Sequence, residues 1–90
     1  MIQKVNLVDL YSSAYLILKH LEPILELKNG KVVFVFPGTD DVYRLLNEFN
    51  EDVPVPVSQF VSVIKILRGK MLTLKERANG THEKGRAYVG

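Results

Sequence analysis

The chain contains no cysteine, and that absence removes disulfides, thiolate nucleophiles, iron–sulfur ligation and cysteine-based zinc sites together. A reducing cytoplasm suits such a chain. Long apolar runs are also missing. Near the amino terminus the hydrophobic residues are interrupted by Lys4, Asn6 and Asp9, so neither a secretory leader nor a membrane-spanning helix is expected. No glycine-rich phosphate loop follows a strand-like run. The two histidines, His20 and His82, have no acid or nucleophile at a recognisable spacing, and His20 is expected to cap helix carbonyls. Ser62-Val-Ile-Lys65 matches the Ser-x-x-Lys pattern of penicillin-binding enzymes, but the companion motifs are absent and the chain is too short to build their site. Asn79-Gly-Thr81 is a glycosylation sequon with no secretion to give it meaning. Adjacent Asp40 and Asp41 would point about 100° apart on a helix, with no third ligand at metal-binding spacing. The sequence therefore offers no catalytic residue, no metal site and no cofactor. An enzyme has little to stand on.

What the chain does hold is a hairpin between Pro23 and Pro37. Two strand-forming runs flank Asn29-Gly30, the dipeptide that best tolerates the two positive φ angles of a type I′ turn. The turn fixes the register: Lys28 opposite Lys31, Leu27 opposite Val32, Glu26 opposite Val33, Leu25 opposite Phe34, Ile24 opposite Val35. Alternation then gathers Leu25, Leu27, Val32, Phe34 and Phe36 on one apolar face. The other face carries Glu26, Lys28 and Lys31 near the turn and Ile24, Val33 and Val35 towards the open end. A two-stranded ribbon is marginal in water, so the first face needs helices. The apolar end of the second needs another strand, a loop or a second copy of the chain.

Helical periodicity brackets the hairpin. Asn6, with Asp9 three residues on, is expected to cap a first helix carrying Leu7, Leu10, Ala14, Ile17, Leu18 and Leu21 on one stripe. Tyr11 and Tyr15 lie on a neighbouring flank, placed at the rim of the core with their hydroxyls wet; a stacking platform for bases or a partner is the sharper alternative. Thr39 caps a second helix with Asp40 and Asp41 in its first turn, with Val42, Leu45, Leu46 and Phe49 buried and an end near Asn50. Val53-Pro-Val-Pro-Val57 reads as a stiff spacer, with Pro56 at the first position of a third helix. That helix is expected over Val57–Leu74. Phe60, Val61, Ile64, Leu67, Met71 and Leu74 form its stripe, Val63 and Ile66 widen it, and Gly69 is expected to serve a close crossing or a bend. From Lys75 the apolar period is lost, and residues 75–90 are expected to form a flexible basic tail.

Together these readings give one α+β domain over residues 1–74: an antiparallel hairpin packed against three helices, with Met1–Val5 as an optional third strand. The order of Asp9-Leu-Tyr-Ser-Ser-Ala-Tyr-Leu16, the Val33–Phe36 strand, a short acidic helix and a basic terminal helix resembles a family of short, uncharacterised bacterial and phage proteins. Their first helix typically opens Asp-Leu-Tyr-Leu-Ala-Ala, so Ser12 and Ser13 depart from the pattern. The resemblance covers Lys4 to about Leu74. It implies the fold and carries over no activity.

Charge is unevenly spread. Residues 1–64 hold five Lys/Arg and eight Asp/Glu, giving −3, whereas residues 65–90 hold seven and two, giving +5. Two functional expectations follow. The first is a non-enzymatic interaction protein that forms a homodimer, with Ile24, Val33 and Val35 and the long helix's Val63 and Ile66 as the interface. The second is nucleic-acid binding through Lys65, Arg68, Lys70, Lys75 and Arg77, with Lys84 and Arg86 beyond them.

Overall fold

Asn29 and Gly30 both take positive φ, 52° and 79°, as a two-residue type I′ turn demands. The hairpin they close has the register expected from the sequence, from Lys28 opposite Lys31 to Ile24 opposite Val35. The computed structural model describes residues 3–80. In chain order its elements are β1 (Lys4–Leu7), α1 (Leu10–Leu18), β2 (Ile24–Lys28), β3 (Lys31–Pro37), α2 (Asp40–Asn50) and α3 (Val57–Gly80). The fold is α+β, a three-stranded antiparallel sheet in the order β1-β3-β2 with three helices.

The third strand exists, displaced from where periodicity placed it. Asn6 does not cap a helix; it sits in β1 opposite Val35. The cap is Asp9, whose carboxylate accepts from the Ser12 amide at 2.9 Å. Leu7 likewise belongs to the sheet, opposite Phe34. The ladder explains the shift, because β3 has a second edge to satisfy and β1 fills it. The Gly38 amide donates to the Gln3 carbonyl at 2.8 Å, which extends that pairing by one residue. A Cβ on Gly38 would stand 3.1 Å from Gln3 backbone atoms, so the close approach needs glycine.

All three helices pack on the sheet face formed by Val32, Phe34 and Phe36, joined by Ala14, Tyr15, Leu16, Val42, Leu45 and Leu67. Each large apolar side chain buried there contributes roughly 1.5–3 kcal/mol against exposure. Helix α1 lies in the middle, touching α2 on one side and α3 on the other. That placement buries Ser12, Ser13, Ala14, Tyr15 and Leu16 in succession, more than a single stripe. Tyr15 is therefore a core residue and not a rim residue. The buried Ser13 hydroxyl donates to the Asp9 carbonyl at 2.9 Å, so its polarity is satisfied within the helix.

Helix α1 stops at Leu18, short of the expected Leu21. His20 adopts φ 71°, its amide donates to the Ile17 carbonyl at 2.9 Å, and the Leu21 amide donates to the Leu16 carbonyl at 3.1 Å. This is a Schellman motif: the backbone of His20 makes the cap. Helix α2 begins at its Thr39 cap and ends at Asn50 as expected.

Helix α3 begins one residue after Pro56, whose carbonyl accepts the first helical bond from Phe60 at 2.9 Å. It then runs through Gly80, so the expected tail is helical over its first six residues. Lys75, Glu76, Arg77 and Ala78 are strong helix formers, and a helix already nucleated on the core extends without needing an apolar stripe. Residues 81–90, with His82, Lys84 and Arg86, lie outside the described residues. Val61 leaves the stripe for solvent, and a Cβ placed on Gly69 would meet no neighbouring atom within 4 Å. Among the described residues of the single chain, no helix crosses close to Gly69.

A left-handed conformation costs a residue with a Cβ about 1 kcal/mol or more, and glycine avoids it. His20→Gly is accordingly expected to raise the melting temperature by about 4–8 °C, read by circular dichroism; an unchanged or lower melting temperature would contradict the cap geometry.

Candidate functional site

The strand alternation sorts every sheet residue to one of two faces. Lys4, Asn6, Ile24, Glu26, Lys28, Lys31, Val33 and Val35 face away from the helices. Val33 and Val35 are 8% and 6% exposed, screened by cross-strand neighbours: Asn6 and Ile24 beside Val35, Glu26 beside Val33. Ile24 is 65% exposed, and Val8, just past the end of β1, is 67% exposed. No described helix covers this face. Around it stand the Glu26–Lys28 ion pair, 3.5 Å apart, with Lys4 and Lys31.

The five residues expected to share one apolar interface do not share one surface. Ile24, Val33 and Val35 lie together on the outer sheet face. Val63 packs into the core on the opposite side, and Ile66, 58% exposed, points outward from α3.

The basic residues of α3 divide as well. Lys65, Arg68, Lys70, Lys75 and Arg77 are all exposed, but at 100° per residue they fall on different flanks. Lys70 and Arg77 share one flank with Ile66. Arg68 and Lys75 share the other, where Arg68 donates to the Tyr11 hydroxyl at 3.3 Å. Lys65 lies between them on the solvent side.

On the Ile66 flank, α3 and β2 enclose a groove lined by Leu25, Ile66, Gly69, Lys70, Leu74 and Arg77. It continues into a smaller hollow by Ile17, Glu22 and Pro23. Spacing on α3 alone merges Ile66 into a broad stripe; only the position of β2 shows that it borders a groove.

A polar cluster joins α1 to α2. The Tyr15 hydroxyl donates to Glu48 Oε1 at 3.0 Å, Arg44 donates to Glu48 Oε2 at 3.0 Å, and Arg44 also reaches Asp41 at 3.4 Å. The Lys19 ammonium lies 5.4 Å from the Tyr15 ring centroid, and Phe49 packs on that ring at 5.5 Å. Burial, and then the carboxylate beside it, push the Tyr15 hydroxyl above its ordinary pKa. A tyrosine held protonated and donating to a carboxylate is poor as a base or nucleophile. The cluster fastens α1 to α2. Among the described residues no group of three or more His, Asp or Glu is placed to hold a metal ion, and no helix is long and apolar enough to cross a membrane.

No family model matches the chain, and neither a curated protein nor a solved structure does. The likeness of the Asp9–Leu16 segment to short bacterial and phage proteins thus remains a likeness of motifs.

Tyr15 also carries a pH signature. Because its folded-state pKa is raised, the folded chain holds this proton where the unfolded chain has begun to lose it, so stability falls as pH rises past about 10. Tyr15→Phe is expected to cost about 1 kcal/mol at neutral pH and to reduce the alkaline loss. Urea titrations at about pH 7 and about pH 10.5, on either side of the ordinary tyrosine pKa, check both; an equal alkaline loss in the variant would contradict the assignment.

Proposed function

We propose that this chain is a small non-enzymatic interaction protein that self-associates as a homodimer through the outer face of its sheet. The observation that carries the reading is the apolar strip of the outer sheet face, where Ile24 and Val8 are exposed and Val33 and Val35 are buried only by their cross-strand neighbours and lie outside the core cluster. An apolar patch rimmed by charges is the usual anatomy of a protein interface, and two such sheets stack face to face about 10 Å apart. Absence of cysteine suits a reducing cytoplasm.

A second reading, nucleic-acid binding, draws on the length of α3. Five exposed cations and one acid occupy residues 65–80, on a helix that continues to Gly80. Cations on two flanks of one helix suit phosphates on either side of a groove.

Light scattering separates the two. Self-association is expected to give a mass of twice 10.2 kDa that resists salt, because apolar burial is not screened. Ile24→Lys with Val8→Lys, both at exposed positions, is expected to return the mass to that of one chain with the circular dichroism spectrum intact. A monomeric wild type at all accessible concentrations would overturn the dimer. Binding of a short DNA or RNA duplex that weakens steeply between about 50 and 200 mM salt, and is lost in Lys65→Glu/Arg68→Glu, would establish the second reading in its place.

A further inference from the structure

We propose that the groove between α3 and β2 receives an extended peptide strand from another protein, apolar on one face and acidic at its ends. This goes beyond self-association through the outer sheet face and does not depend on it.

The first support is a mismatch of widths. Packed helices stand about 8–10 Å apart, whereas strands stand about 4.7–4.9 Å apart. Three helices side by side with α1 in the middle therefore span roughly 18 Å between outer axes, against about 9.6 Å for three strands. Helix α3 touches β2 and β3, and these spacings lead us to expect its outer flank to reach past the β2 edge. The groove lined by Leu25, Ile66, Gly69, Lys70, Leu74 and Arg77 lies on that flank, beside Leu25 of β2.

The second support is the state of the strand edge. A two-residue hairpin makes Lys28 and Lys31 a hydrogen-bonded pair, so Glu26 and Ile24 also bond to β3. The Gly38-to-Gln3 bond fixes the same parity from the other side, with even-numbered residues of β3 bonded to β1. The N–H and C=O groups of Leu25 and Leu27 consequently point along the sheet to an edge that no described strand occupies. Those four groups are the template for one more strand.

Gly69 supplies the third. Glycine inside a helix costs about 1 kcal/mol relative to alanine, and among the described residues no atom lies within 4 Å of where its Cβ would be. Packing within the described fold does not account for glycine there. Gly69 lines the groove, and a long side chain in its place would reach into it.

Charge then selects the occupant. The groove's own charged groups are Lys70 and Arg77, and the hollow that it continues into adds one carboxylate, Glu22. Seven residues apart on one helix, their backbones are separated by about 10.5 Å, a gap that long cationic side chains can widen to meet carboxylates four residues, or about 13 Å, apart on one face of a strand. A strand with small β-branched residues at its centre and a carboxylate near each end matches the leucine edge and both cations.

The test uses the full chain and two fluorescent peptides, Thr-Asp-Thr-Val-Thr-Glu-Thr, whose Asp, Val and Glu share one face, and its counterpart with Lys in place of Asp and Glu. Anisotropy is expected to show the acidic peptide binding at least tenfold tighter. Lys70→Glu/Arg77→Glu is expected to reverse that preference, and Gly69→Leu to abolish binding while Gly69→Ala raises the melting temperature. Saturation with the acidic peptide should slow hydrogen exchange at the Leu25 and Leu27 amides at least tenfold, a response that nonspecific charge pairing would not produce. Equal binding of the two peptides, no binding at millimolar peptide, or unchanged exchange at Leu25 and Leu27 would overturn the proposal. So would a dimer that dissociates in Gly69→Leu, since the occupant would then be a second copy. A wild-type monomer that still binds the acidic peptide would overturn the homodimer alone.

Discussion

Two residues held at positive φ set the parity of the whole sheet. With Asn29 and Gly30 as the turn, each residue of β3 is committed to one face and one neighbour. Odd-numbered positions hydrogen-bond to β2 and even-numbered positions to β1. The same commitment sends Val32, Phe34 and Phe36 into the core and Val33 and Val35 to the outer face. A one-residue slip would exchange these sets and bring Lys31 and Val33 to the helices. Burial of two phenylalanines on one face makes that exchange costly, so turn chemistry and hydrophobic pattern enforce the same register.

Above this sheet the layout is governed by size. Helix α1 occupies the centre between α2 and α3, and packed helices stand farther apart than paired strands. The central position explains why five consecutive residues of α1 are buried and why two of them can be serine: Ser12 and Ser13 meet the backbone of Asp9 and ask nothing of the surrounding core. Tyr15 reaches through the core to Glu48, giving α1 and α2 a directional tie in addition to apolar contact.

The hairpin is legible in the sequence because its signal is local: a turn dipeptide between two strand-forming runs leaves little freedom. Helix α2 is legible for the same reason, with Thr39, Asp40 and Asp41 marking its start. Asn6 is not, because its two fates, helix cap and strand residue, differ only in whether β3 has an unpaired edge thirty residues later. Tyr15 escapes a reading by periodicity, which assumes one buried stripe, whereas α1 has neighbours on three sides. Periodicity also ends α3 six residues early, because it equates loss of an apolar period with loss of helix. Of the proposed surfaces, the outer sheet face can be read from alternation alone. The groove cannot, since it depends on how far α3 stands from β2.

The strand order also sets an order of events in time. The middle strand of the sheet, β3, is the last of the three to be synthesised, so β1 has no partner until the chain has passed through α1 and β2. The β2–β3 hairpin closes over two residues, whereas β1 must bridge from Leu7 to Phe34. Loop closure favours the hairpin first, on the microsecond scale of isolated hairpins. β1 then docks onto an edge already formed, with α1 swung across the sheet as its tether. On this order β1 acts as a latch on a preassembled hairpin, closing an edge that forms only after the chain has returned as β3.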